Sequence, residues 1–598
     1  MTAISHPDGG RSGKAAAQVV DAAEPEAADS GTPLPWLGKP VLQGVLALLI
    51  YLLIWLPTAF RAVMQNLSSA ALFQKSMDPN LFVWNLRWWP YALAHGLDPL
   101  YTYQIAAPAG HSLAWVTTVP PLALLAAPVS LAASPVTAFN LLCAIALPVS
   151  AWAAFLLCRR LTGRFWAGLA GGAVFGFSAY EMAHVAAGQL DLTFSLLVPV
   201  LAYLIVAWWQ GSISARTFVV LAALTMAMQF YLFEEIFADL TAMLIVSLPV
   251  AYALASAEYR PQVTRLAKVT GLAYIIAVIL AAPYLAFAVA SRPPKPSTID
   301  TGMDLASLVF PRTQRVYGIP WLAHVSDAIN PASTACYIGL PLLAVVLLLA
   351  VTRWASRFVR FLTCMLAFVI VASLGPALYV GGHRIFRLPW AFIWDQPILR
   401  NAYPARLMLF AYLALAVIVA TFLASPARRL RLVAWPLAAL VAVFMVLDVV
   451  PLSVRPYTTV PAFIRNETYQ KKLAPGEIVL VVSRVGNAGM LWQAETGFYF
   501  RLSGGYINVG LNNRTDLPAA VQDLDRATPA RVAAFERYVR ADRIGAVLID
   551  MNHEPNWVGI FWRMGLKGHK VDNVIVYQLR GCATCRSLTW AQLRAGRK

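Results

Sequence analysis

The stretch Phe139 to His184, FNLLCAIALPVSAWAAFLLCRRLTGRFWAGLAGGAVFGFSAYEMAH, decides the architecture. Two apolar runs flank the basic turn CRRLTGR, and each approaches the ~20 residues that cross a ~30 Å hydrocarbon core as a helix. Basic residues collect in the cytoplasmic loops of membrane helices. The pair is therefore expected to turn in the cytoplasm at Arg159, Arg160 and Arg164 and to come back to the outer surface at Glu181 and His184. Working outward, similar runs recur from about Leu42 to Val450 and place spans near 42–62, 135–158, 165–180, 192–209, 216–233, 236–255, 269–290, 337–352, 357–375, 407–424 and 432–451. The run 119–133, VPPLALLAAPVSLAA, is short and broken by Pro120, Pro121 and Pro128, and reads as an interfacial or re-entrant piece. With 59% hydrophobic residues, 13% charged residues and a mean hydropathy of +0.62, the chain lies outside the soluble range. The expectation is an α-helical polytopic membrane protein of about eleven spans.

With the N-terminus inside, the clusters Arg260, Arg265 and Lys268, then Arg353, Arg357 and Arg360, then Arg428, Arg429 and Arg431 also fall in the cytoplasm. An even number of spans would scatter them over both sides. Three parts follow: a disordered cytoplasmic tail over 1–38, a membrane domain over 39–452 with a large outer loop at 63–134, and an extracytoplasmic region over 453–598. In the last, EIVLVVS, RIGAVLID and NVIVYQL read as short buried strands, and 529–541 and 556–565 as helices, which makes a small α/β domain. The expected location is the bacterial cytoplasmic membrane.

The net charge of +18 is split into short clusters between spans and forms no continuous basic face, which argues against nucleic acid. Membrane lipids are the expected surroundings. Cys143, Cys158, Cys336 and Cys364 fall in or beside apolar runs, where a small apolar side chain suffices. Cys582 and Cys585 form a lone CxxC that suits a disulfide or no role, since no second pair or His set accompanies it. The sequence carries no GxxxxGK[ST], HExxH or GxSxG motif.

Two stretches carry candidate chemistry. KSMDPNLFVWNLRWWP, residues 75–90, sets Asp78 at the head of an aromatic segment expected to lie along the membrane surface, where Asp78 is either a helix cap or a functional carboxylate. AYEMAHVAAGQLDLTF, residues 179–194, brings Glu181, His184, Gln189 and Asp191 to the outer end of two spans, where polar groups face a water-filled cavity. The tight FEEIFAD hairpin either adds Glu234, Glu235 and Asp239 to that cluster or, as the stronger reading, is a solvated turn with acids at a helix start. The loop 380–407 holds His383, Arg384, Arg387, Arg400 and Arg406 on the side where short loops are poor in cations, and Arg292, Lys295, Arg312 and Arg315 add to them.

The layout over roughly 42–424 resembles the GT-C glycosyltransferases: a first span, a large outer loop with an early acid and juxtamembrane helices, and a second span ending in Arg159 and Arg160. The Phe139–His184 stretch is similar to their second and third spans. The resemblance implies transfer of a sugar from a polyprenyl-phosphate carrier to a glycan, lipid or protein acceptor on the outer face. It casts Asp78 as general base. It also places Glu181, His184, Gln189, Asp191 and His111 on the substrates, and Arg406, then Arg400, on the carrier phosphate. The family often pairs its loop acid as DD or DxD, whereas Pro79 and Asn80 follow Asp78 here. No cofactor is required by this pattern, and a divalent cation stays open as an alternative to basic side chains at the phosphate. The alternative function is a transporter, flippase or non-catalytic binder of lipid-linked saccharides, although no internal repeat supports transport.

Overall fold

The structure is a computed structural model that describes residues 40–72, 78–291, 302–311, 328–329, 331–394, 402–424, 431–449, 456–483, 488–505, 528–551, 561–562 and 566–579. The tail 1–38, Arg292, Lys295, Arg312, Arg315, Arg400, Cys582, Cys585 and most of 556–565 lie outside the described residues.

The chain is a multi-pass helical membrane protein with a small C-terminal sheet region. Ser134 opens the helix Pro135–Thr162 by accepting the Thr137 N–H at 2.9 Å, Pro135 occupies the first turn, and Gly163 at φ 70 closes it. Its 28 residues rise ~42 Å, enough to cross a bilayer. Phe165–Gly176 returns alongside it. A Cβ on Gly172 or Gly176 would run into the Ala151 backbone, so these glycines let the two helices approach closely.

Among the described residues, seven helices are long and apolar enough to cross a membrane. The four other expected positions hold helices of 12, 14, 17 and 19 residues: Phe165–Gly176, Leu340–Arg353, Arg357–Ser373 and Arg431–Val449. The proline-broken run folds as Pro120–Leu125 and Ala127–Ala132, each ~9 Å long and unable to cross. Helices apolar all round are buried, and those apolar outward meet lipid. Within Pro404–Ala424, 89% of the most apolar window is buried, against 17% in Glu234–Leu254 and 28% in Arg260–Ala290. The first is the bundle's axis and the others line its rim.

The C-terminal sheet has five strands in the order His569–Val571, Val574–Gln578, Ala546–Asp550, Ile478–Val482, Arg501–Leu502. Ile478–Val482 runs parallel to both of its neighbours. Side chains alternate across a strand, and the two faces bury separate sets. Ile478, Leu480, Val482, Val547 and Ile549 pack toward Phe535 and Val539 of the helix Pro529–Ala541. Val479, Val481, Ala546 and Leu548 belong to a core that includes Trp492, Trp84 and Trp88.

That second core joins the sheet to the 63–134 loop. Trp84 Nε1 donates to Gln493 Oε1 at 2.7 Å, and Gln493 Nε2 donates to Gln104 O at 2.7 Å. Phe498 meets Trp84 and Trp88 edge-on. Residues 104–107 extend the sheet edge through Leu502 N to Gln104 O at 2.8 Å and Ala107 N to Leu502 O at 2.9 Å. Ala70–Leu72 pairs antiparallel with Pro456–Thr459. The Asp78–Ala94 helix forms as expected, but the location of its tryptophans differs. Trp84 and Trp88, at 0% and 1% exposure, sit in protein and not at a lipid surface. An aromatic stripe has the same composition at either place, and only the C-terminal region folding back over it decides which.

Near the axis helix, Asp304 accepts the N–H groups of Ala306 and Gly381 at 2.9 Å and of Gly382 at 2.6 Å. Gly381 and Gly382, at φ 59 and 82, make the tight turn between Ala377–Val380 and His383–Arg387. The second of these strands, with His383, Arg384 and Arg387, is exposed along its length.

Candidate active site

Four separated segments meet at one end of the bundle. Asp78 stands in the first turn of its helix. Ser178 caps Ala179–Ala187, which Gly188 ends at φ 69, so the chain reverses and Gln189 points back toward the first segment. Gln189 Nε2 donates to Asp78 Oδ2 at 2.8 Å, and Gln189 Oε1 lies 2.7 Å from His184 Nδ1. Burial holds the His184 imidazole down at about 3, so the ring is neutral. With the Gln189 amide turned this way, His184 must carry its proton on Nδ1 and present Nε2 as an acceptor.

Asp191, 7% exposed, follows in the short helix Leu190–Thr193. It lies within electrostatic reach of Arg406 and Asp78. Arg406 Nη1 pairs with Glu235 Oε2, and Glu235 Oε1 accepts the Tyr403 N–H at 2.7 Å. The guanidinium lies 4.3 Å from the Tyr403 ring centre and 5.1 Å from that of Phe233, a cation held by two aromatic faces. Asp239 adds a carboxylate within reach of Glu235 and Arg406.

Several buried atoms here have no hydrogen-bond partner among the described residues: Asp191 Oδ1, Asp239 Oδ2, His184 Nε2 and Tyr180 OH. Buried polar groups are ordinarily paired, so the cluster has capacity for something not part of the chain. Among the described residues no three His, Cys, Asp or Glu side chains gather as a metal site.

The expected residues thus divide. Asp78, His184, Gln189, Asp191 and Arg406 come together. Glu181 bonds elsewhere: it is 0% exposed, accepts from Ser195 Oγ, and burial pushes its carboxyl well above the usual range. His111 lies in the small hairpin pairing Tyr101–Thr102 with His111–Ser112, and burial lowers its imidazole. No hydrogen bond or ion pair among the described residues ties His111 to Asp78. Arg406 is not a bare cation awaiting phosphate, because Glu235 already engages it.

The sequence reading favoured leaving Glu235 and Asp239 out. The acids do stand at a helix start, that of Glu234–Leu254, but Glu235 is not solvated: it turns inward to Arg406. A signal existed in the four-residue spacing of Glu235 and Asp239, which puts both on one helix face.

No protein-family model matches the sequence, and no curated protein matches it. Solved structures do match. The arabinofuranosyltransferase AftD from Mycobacteria superposes with a TM-score of 0.55 at 11% identity, over 91% of this chain and 40% of AftD. The Archaeoglobus fulgidus oligosaccharyltransferase in its apo form superposes with a TM-score of 0.51 at 12% identity, over 88% of this chain and 73% of that enzyme. The chain spans well under half the length of AftD. At these identities the likeness is one of fold, shared with this arabinofuranosyltransferase and this oligosaccharyltransferase.

Proposed function

We propose that the chain is a membrane glycosyltransferase that moves a sugar from a polyprenyl-phosphate donor to an acceptor hydroxyl on the outer face of the cytoplasmic membrane, with the C-terminal region on that same side. The observation that carries this reading is the convergence of Asp78, Gln189, Asp191 and Arg406 from three segments of the fold shared with these transferases. In the step proposed, the acceptor oxygen bonds to the anomeric carbon as the bond from that carbon to the phosphate oxygen breaks. The hydroxyl proton passes to Asp78, and polyprenyl phosphate leaves as the anion. Gln189 holds Asp78 Oδ2 in place, and His184 fixes which way the Gln189 amide points. Arg406 faces the leaving phosphate: a guanidinium has five N–H donors, and Glu235 engages it through Nη1.

The test is transfer of radiolabel from a panel of polyprenyl-phosphate sugars by purified protein in membrane extract. Asp78→Asn is the diagnostic variant, because Asn caps a helix as well as Asp but cannot take the proton. Turnover should drop by ~10²-fold or more with folding intact. Undiminished transfer by Asp78→Asn removes the base assignment, and label that crosses the membrane still on its carrier favours a transporter.

A further inference from the structure

A cavity of about 530 Å³ lies among the helices of the bundle, and its lining extends from beside the acid cluster toward the opposite end. Its near end includes Leu240, next to Asp239, and Phe410, one turn past Arg406. Its far end includes Gln210, Ser256, Tyr259 and Arg357. Connectivity fixes these as opposite ends. Gln210 follows the helix that begins just after Asp191, and Ser256 follows the one that begins at Glu234. Arg357 begins the helix whose other end reaches Gly375 beside Pro404. Leu240 and Leu254 both line the cavity and lie ~21 Å apart along their helix, more than the ~15 Å half-thickness of a hydrocarbon core.

The walls between the ends are apolar, with Leu201, Leu244, Phe361 and Val417 among them. Two hydroxyls interrupt them, Ser247, which donates to Leu244 O at 3.5 Å, and the buried Thr270. Thr225, Thr241, Thr264, Thr363 and Thr421 each donate to the carbonyl four residues earlier, the ordinary fate of a helical threonine. Thr270 lines the cavity, is 4% exposed, and its Oγ1 has no partner among the described residues. An apolar cavity with one orphan hydroxyl in its wall and an exposed arginine at its mouth suits an amphiphile of one polarity: hydrocarbon inward, anion at Arg357.

We propose that this cavity is a lipid site, occupied by an acyl chain of a phospholipid with an anionic headgroup, the phosphate at Arg357. The headgroup then lies at the end of the bundle opposite Asp78. This sets the site apart from any carrier whose phosphate sits at Arg406, and the inference stands independently of the transfer reaction.

The test is native mass spectrometry of the full chain, delipidated in detergent and titrated separately with phosphatidylglycerol, phosphatidylcholine and undecaprenyl phosphate. One phosphatidylglycerol should be retained in preference to phosphatidylcholine. Arg357→Gln should weaken it about fivefold. Ala414→Trp, placed on the cavity wall, should abolish it. Three results would overturn the proposal: equal binding of phosphatidylcholine with no effect of Arg357→Gln, phosphatidylglycerol binding that survives Ala414→Trp, or undecaprenyl phosphate taking the cavity with Arg357→Gln silent. Circular dichroism of each variant separates loss of the lipid from loss of the fold.

Discussion

Asp304 and Asp191 are both buried carboxylates at the same end of the bundle, yet their surroundings are opposite in kind. Asp304, 0% exposed, spends its oxygens on three backbone N–H groups and so ties the Gly381–Gly382 turn to the segment before it. Asp191, 7% exposed, keeps Oδ1 without a partner among the described residues and shares its neighbourhood with Asp78 and Arg406. A carboxylate whose lone pairs are filled by backbone is a fastening. One left short of partners beside a cation and a second acid has kept capacity for a ligand.

The largest effect that would break this contrast is on Asp304. Asp304→Ala removes the two oxygens that accept three backbone N–H groups, and should cost ~2 kcal/mol of stability, read as a lower melting temperature in micelles. A melting temperature equal to wild type would mean that the turn does not depend on it. Next is Arg406, which the contrast places on the ligand side despite its ion pair. Arg406→Gln should raise the donor KM about tenfold, ~1.4 kcal/mol, and leave the acceptor KM alone. Glu235→Gln keeps the guanidinium and should preserve donor binding. Equal loss in both variants would make the pair a structural one.

The smallest effect concerns Glu495, which lies between the two extremes. It accepts the Val136 N–H at 3.1 Å, and burial pushes its carboxyl up to about 7, against the pull of that bond, Ser134 and Arg87. A folded value above the ordinary 4.5 means that the native state holds the proton more tightly. The stability from this group is therefore full below about pH 4.5 and lost as pH rises through about 7. Stability read from melting curves should fall across that window, and Glu495→Gln should flatten the fall. An unchanged slope in the variant would assign the pH dependence to another group.

Much of the architecture was legible because it follows from local patterns. Apolar runs of membrane length and the short buried strands at 478–482, 546–550 and 574–578 depend on residues close in sequence. Asp78, Gln189 and Asp191 could be singled out because polar groups beside apolar spans are costly unless used. Glu235 was misjudged for the converse reason: acids at a helix start are ordinary, and nothing within FEEIFAD reveals an arginine 171 residues later.

By itself, then, the sequence determined the solvent this chain folds in, the helices it makes there and the short list of groups too expensive to bury without purpose, since each is a matter of hydropathy and spacing over one or two turns. Which of those groups meet was decided by tertiary structure alone. Gly188 reverses the chain so that Gln189 reaches Asp78, Glu181 turns inward to Ser195, and the C-terminal region closes over Trp84 and Trp88. These outcomes are contacts between segments 14 to 409 residues apart, and such pairings are chosen by how whole surfaces pack and not by any property that one segment carries.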